Sequence, residues 1–235
     1  MITEIPASTS DLALPNVSPD LPTKERLLIA AGYIFACKGY QDATIAEISQ
    51  LASANIAAVN YHFKDKHSLY AEAIHVAFEK ARDKYKPNGN LPTDAPAEQR
   101  LRARITAILS SHFDNSEASY FRRIIVWEMS NPSDNFKNLI APHLTPLKQQ
   151  LHDMLADLLG PTATPRDIQL CSFSIISQCH SPLLRKHMHP AHISTESYTP
   201  DQIQYLINHV TEFSLAGIKM MRIKREQQVA TTGEI

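Results

Sequence analysis

The stretch from Thr44 to Lys66 (TIAEISQLASANIAAVNYHFKDK) limits the possible folds more than any other part of the chain, because it holds two helix start signals eleven positions apart. Thr44 is followed three residues later by Glu47, a capping box in which side chain and backbone satisfy each other's free hydrogen-bonding groups. Asn55 is a strong N-cap for a second helix running to about His62. Ile45, Ile48 and Ala52 give the first helix an apolar face, and Val59 and Phe63, four apart, anchor the second inward. Two helices of about eight residues joined by the tight turn Ala52-Ser53-Ala54 form a helix-turn-helix pattern.

The flanking sequence extends this into an all-α chain. Thr23 is the expected N-cap of a first helix carrying Leu27, Ala31, Ile34 and Phe35, and Gly39 sits where that helix should stop. Asp65 caps a longer fourth helix with Leu69, Ala73, Val76 and Lys80 along it. The run Pro87–Pro96 (PNGNLPTDAP) has three prolines and a glycine and reads as the domain boundary. Helical segments are expected at 97–113, 117–130, 133–159, 165–188 and 200–226. Pro142 and Pro146 should break or kink the third of these, and Gly160-Pro161 should end it. The reading is a disordered arm over 1–22, a helix-turn-helix domain with connecting helix over 23–86, a helical effector-binding and dimerisation domain over 87–226, and a flexible tail over 227–235. His189–Thr199 reads as a loop, and fraying is expected after Arg225.

Composition is compatible with this. Six glycines in 235 residues are few, which favours helices. No apolar run approaches the ~20 residues of a membrane span, and the N-terminus lacks the basic start and apolar core of a secretory signal. Three cysteines without CxxC spacing (Cys37, Cys171 and Cys179) argue against a disulfide framework and for a reducing, cytoplasmic setting. Cys171 and Cys179 are about 80° apart around one helix, which disfavours a redox pair. The net charge of −1 does not announce a nucleic-acid binder. Residues 23–87, however, hold nine Lys/Arg against seven Asp/Glu, and DNA affinity depends on local phosphate contacts.

In a helix-turn-helix the second helix enters the major groove, and its N-terminal residues meet base edges. Ala57 and Ala58 are small enough for close approach and for packing on thymine methyls. Asn60 can pair with a base edge or a phosphate. Tyr61, His62, Lys64 and Lys66 supply donors for phosphate oxygens, and Thr44 adds a hydroxyl beside free N–H groups at a helix start.

The same stretch resembles the TetR/AcrR family of bacterial repressors, whose signature runs from a capping Thr through Ile-Ala and a small-residue turn to Tyr-x-Phe-x-x-Lys. Here that ending is Tyr61-His62-Phe63-Lys64-Asp65-Lys66. The version Asn55-Ile56-Ala57-Ala58-Val59-Asn60-Tyr61-His62-Phe63 is similar to the CecR-like branch, as is, more weakly, Arg123–Asp134 (RIIVWEMSNPSD). The resemblance implies phosphate contacts from Thr44, Tyr61, His62 and Lys66, and base reading by Ile56, Ala57, Ala58 and Asn60. It implies a homodimer on palindromic double-stranded operator DNA, released by a small-molecule effector, with no cofactor. Two departures stand out. Ser53 occupies a turn position where members commonly have Gly, and Asp65-Lys66-His67 replaces the usual Ser-Lys-Glu, so Asp65 takes over the cap.

The C-terminal half is less explicit. A sensing helical domain needs an apolar cavity with a few polar groups. The expected lining is Trp127 with His112, Phe113, Arg123, Phe173, Gln178 and His180. Arg122 and Arg123 hint at an anionic effector. Tyr205, Leu206, His209, Phe213, Gly217 and Met220 recur at helical spacing as an expected dimer seam. His187, His189 and His192 read as an exposed loop rather than a metal site. No GxSxG, HExxH, P-loop or dinucleotide fingerprint is present, so no enzyme is expected. A helical ligand carrier or adaptor without specific DNA binding stays open as the alternative.

Overall fold

The computed structural model describes residues 12–92, 94–130, 134–188 and 198–232. The helices are α1 (Thr23–Asp42), α2 (Ile45–Leu51), α3 (Ile56–Phe63), α4 (Lys66–Lys84), α5 (Ala97–His112), α6 (Tyr120–Ser130), α7 (Ala141–Leu159), α8 (Pro165–Met188) and α9 (Pro200–Thr232). A 3-10 turn, Glu117–Ser119, leads into α6, and a π-helical stretch, Phe136–Ile140, leads into α7. No strand occurs among the described residues, so the all-α expectation holds.

Backbone contacts divide the chain into two units. One comprises the chain up to Lys84 together with Asp114–Leu144; the other comprises Tyr85–Phe113 and the chain from Thr145 onward. The expected domain of 87–226 therefore does not form one contact unit, because Asp114–Leu144 groups with the N-terminal helices. The physical reason is apolar. Tyr120, Phe121 and Ile124 share a core with Leu27, Phe35, Ile48, Val59, Phe63, Leu69 and Ile74. Tyr70 is central to it, its ring 4.6 Å from Phe35 and 4.8 Å from Tyr40. Leu12, only 7% exposed, also joins this core, so the expected disordered arm packs at least at that residue.

Local signals account for most of the helix starts. Thr44 and Glu47 form the capping box, with Thr44 Oγ1 accepting from the Glu47 N–H at 3.2 Å and Glu47 Oε2 accepting from the Thr44 N–H at 3.1 Å. Asn55 Oδ1 accepts from the Ala57 N–H at 2.9 Å, and Asp65 Oδ1 from the Ser68 N–H at 2.8 Å. Thr23 is not the cap of α1 as expected. Pro22 takes that position without a side-chain bond, and Thr23 is the first helical residue. Gly39 does interrupt α1, at φ 71°, where a side chain is strained. A Cβ there would also meet the Trp127 ring at 3.2 Å.

In the second unit, Leu101, Ile105 and Leu109 of α5 pack with Leu151, Leu155 and Leu159 of α7, Ile175 of α8, and Ile207, Val210 and Ile218 of α9. The prolines do not end the segment: Pro142 and Pro146 both lie within helix α7, directly after the π-helical stretch. A π turn re-routes backbone bonds to i→i+5, and such turns accommodate irregular ladders without ending a helix. The tail also differs. Helix α9 continues to Thr232 rather than fraying after Arg225, because Arg225 is bonded to Asp167 of α8 at 2.8 Å. The side chains of His187, His189 and His192, and residues 131–133 of the RIIVWEMSNPSD segment, lie outside the described residues.

Candidate nucleic-acid interface

Helices α2 and α3 are joined by Ala52–Asn55, and the turn closes through Ala54 N–H to Ser49 O at 2.9 Å and Ser53 N–H to Gln50 O at 3.1 Å. Ser53 sits at φ 49°, in the left-handed region that glycine would occupy more easily. The carbonyls of Ala52 and Ser53 accept from Arg26 Nη1 at 2.9 and 3.1 Å, which ties the turn to α1. Arg26 carries no sequence signal for this role, since its partners lie 26 and 27 positions away.

The turn aims α3 outward. Val59 and Phe63 are buried, while Ile56 is 51% and Tyr61 84% exposed. Asn55, Ala57, Asn60 and Lys64 are also exposed, and Ala58 and His62 are half-buried. This separates an apolar inner stripe from an outer face of small, amide and phenol groups, suited to a groove lined by base edges and phosphates. At the start of α3 the Ala57 N–H is held by the Asn55 side chain and the Ala58 N–H by the Asn55 carbonyl.

Two of the expected phosphate donors have partners within the protein. Thr44 Oγ1 is committed to the capping box, although the residue itself is exposed. Lys66 Nζ donates to the Gln41 carbonyl at 3.1 Å and lies 4.7 Å from the centre of the Tyr40 ring. Partial burial lowers its pKa. Lys38 pairs with Glu47 and, as the first cause, holds that carboxyl below its ordinary value.

Of the residues expected to line an effector cavity, Trp127 and Arg123 belong to the first unit, and His112, Phe113, Phe173, Gln178 and His180 to the second. Trp127 donates its indole N–H to the Ala36 carbonyl at 3.1 Å and packs on Gly39, so it serves the first core. Phe173 is 71% exposed: it stands two residues from Cys171 and Ile175, about 200° from the inward face of α8. Gln178 bonds its own helix at the Ser174 carbonyl. His112 is buried, its ring 4.9 Å from His180, and Phe113 packs on Tyr198 at 4.5 Å. A cleft of about 440 Å³ is lined by Ser181, Pro182, Tyr198, Gln202, Tyr205 and Leu206. Among the described residues no cluster of His, Cys, Asp and Glu fits a metal ion.

Residues 25–73 match the profile of bacterial regulatory proteins of the tetR family, and residues 97–218 match the C-terminal domain of the HTH-type transcriptional dual regulator CecR. This chain belongs to the TetR family, in its CecR-like branch. It is thus a DNA-binding transcriptional regulator and not an enzyme. No curated protein matches it. Solved TetR-like folds do. A transcriptional regulator from Rhodococcus sp. Rha1 is 18% identical with a TM-score of 0.62, covering 83% of this chain and 97% of its own. The fatty acid degradation regulator FadR from Bacillus halodurans is 15% identical with a TM-score of 0.61, over 85% and 98% of the two chains. A TetR-like transcriptional regulator from Rhodococcus sp. RHA1 is 14% identical with a TM-score of 0.62, over 84% and 98%. No helix among the described residues is long and apolar enough to cross a membrane.

Proposed function

We propose that this TetR-family regulator is a homodimeric repressor that reads a palindromic operator through α3 and leaves it when a small molecule binds the second unit. The observation that carries the DNA-reading part is the outward face of α3, where Ile56 and Tyr61 are exposed while Val59 and Phe63 are buried. An exposed phenol and isoleucine on a short helix have no role in the described core. Asn55, Ile56, Ala57, Ala58 and Asn60 take base edges and the start of the helix, while Thr44, Tyr61, His62, Lys64 and Lys66 take phosphates.

The outer faces of α8 and α9 support the dimer. Phe173 is 71%, Tyr205 76%, Phe213 64% and Met220 52% exposed. His209 and Gly217 share that face, and nothing stands within 4 Å of a Cβ added at Gly217, so a partner helix has room to approach. Leu206 differs, being half-buried against the second core. Two-fold pairing sets two reading helices about 34–36 Å apart, one turn of DNA. Effector control would act as a coupling of about 1–3 kcal/mol between the two sites.

The test is a gel-shift titration against DNA flanking the protein's own gene, beside a scrambled duplex, at two salt concentrations. Saturable binding at least ~10³-fold tighter than to the scramble, and weaker at high salt, is expected. Asn60→Ala and Tyr61→Ala should each weaken it, by about 1–3 kcal/mol for a base contact, with thermal stability unchanged because both side chains are exposed. A folded double variant with unaltered operator affinity would remove α3 as the reading helix and favour the adaptor alternative.

A further inference from the structure

Helix α5 sends a cation into the second core, and no anion among the described residues pairs with it. Arg104 is 8% exposed and its Nε has no hydrogen-bond partner. Among the described residues the acids of this unit that form ion pairs are committed elsewhere: Asp157 to Arg100, Glu226 to Arg222, and Asp167 to Arg225. A buried charge without a counter-charge opposes folding, so its retention calls for an explanation. Burial pulls the Arg104 pKa down only to about 10, and the guanidinium stays protonated at neutral pH. The neighbouring group that bears on it is the Cys179 thiol, which burial pushes up to about 12. That thiol is neutral and is no counter-ion.

The surroundings narrow the chemistry. Eight residues along α5 from Arg104, about 80° round the helix, His112 is buried with its ring 4.9 Å from His180 of α8. On the core side of α9, Ser214 is 6% exposed and its Oγ also has no hydrogen-bond partner. The apolar residues of this core are aliphatic or sulfur-bearing, with no aromatic ring among those described. A planar guanidinium matches a carboxylate fork, and one such cation neutralises one carboxylate. A phosphate dianion would bring a second charge that this core does not compensate.

We infer that Arg104 is the counter-charge for the carboxylate of an aliphatic acid that enters the second core. This rests on the effector reading above and gives that effector a chemical class. The ligand's hydrocarbon body lies among the aliphatic side chains, its carboxylate on the guanidinium.

The experiment uses the full chain and three probes: decanoate, decanol and inorganic phosphate, read by calorimetry and by thermal unfolding. Decanoate should bind the wild type and raise its melting temperature, with decanol and phosphate at least ~10-fold weaker, since decanol loses the charge-assisted hydrogen bond and phosphate loses the hydrocarbon burial while adding a second charge. Arg104→Met, which removes an uncompensated buried charge while keeping the volume, should melt at or above the wild-type temperature without ligand and bind decanoate about 10- to 100-fold more weakly. Arg104→Lys should fall between the two. Equal binding of decanoate and decanol, phosphate binding as tight as decanoate, or unchanged decanoate affinity in Arg104→Met each overturns the assignment. If Arg104→Met fails to fold, the decanoate-to-decanol ratio in the wild type and in Arg104→Lys decides. Operator affinity separates the two readings. Decanoate that binds through Arg104 but leaves DNA binding unchanged upholds the site and sinks effector control, whereas release by another ligand with no decanoate binding does the reverse.

Discussion

The Tyr70 hydroxyl of α4 donates a 3.0 Å hydrogen bond to Glu128 Oε1 of α6, and both side chains are buried. Burial, then the Glu128 charge, raises the Tyr70 pKa far above the ordinary phenol value, so the hydroxyl remains a donor across the working pH range. The bond fastens α6 to the helix that follows the reading head. Tyr70→Phe keeps the ring contacts but removes one donor to a buried carboxylate, so a loss of about 1–3 kcal/mol is expected. Urea unfolding of the two proteins checks it, and an unchanged midpoint would show that Glu128 is satisfied without Tyr70.

Ser53 holds φ 49° in the turn between α2 and α3. The left-handed region costs an L-residue about 1–2 kcal/mol, while glycine gives back about 0.5–1 kcal/mol in unfolded-chain entropy, so Ser53→Gly should stabilise by roughly 0.5–1 kcal/mol. The Arg26 bonds go to carbonyls of the turn and survive the change. A thermal melt showing lower stability for the glycine variant would mean that the serine side chain has a role of its own.

Asp167 is bonded by Arg225 and by the Thr164 side chain and N–H, and Arg225 first among these lowers its pKa from 3.8 to about 2. The folded value lies below the unfolded one. The contribution is therefore fully present above about pH 4 and is lost as the pH falls through about 2. Asp167→Asn should flatten the decline in stability across that window and lower stability at neutral pH. Denaturant midpoints measured at intervals from pH 5 to 2 test this, and parallel profiles for the two proteins would contradict it.

Phe173 and Phe213 expose apolar rings on the outer faces of α8 and α9. Glutamate at either position adds a charge that a buried seam cannot accommodate. Phe173→Glu with Phe213→Glu should keep wild-type helicity by circular dichroism and sediment as a monomer, with operator affinity falling along with the dimer. A dimeric double variant would move the association surface elsewhere.

The helix starts were legible because their chemistry is local. Thr44 with Glu47, Asn55 with Ala57 and Asp65 with Ser68 bond across two or three residues, and such contacts are written directly in the spacing. The outward face of α3 followed from the same logic, since Val59 and Phe63 four apart leave Ile56, Asn60 and Tyr61 to point away. The partner of Trp127 was not legible, since the Ala36 carbonyl that accepts its indole N–H lies 91 positions earlier.

By itself the sequence determined the all-α class, the capped pair of short helices and the outward face of α3, because each depends on residues within one or two helical turns. Tertiary structure alone decided which unit α6 joins, how the turn is held, where α9 ends and which cation is buried. Tyr70–Glu128, Arg26–Ala52 and Arg225–Asp167 bring together residues 58, 26 and 58 positions apart. Nothing in the spacing of those residues marks them as partners; only packing of the apolar helix faces brings them within hydrogen-bond reach, and the same packing buries Arg104 with no ion-pair partner among the described residues.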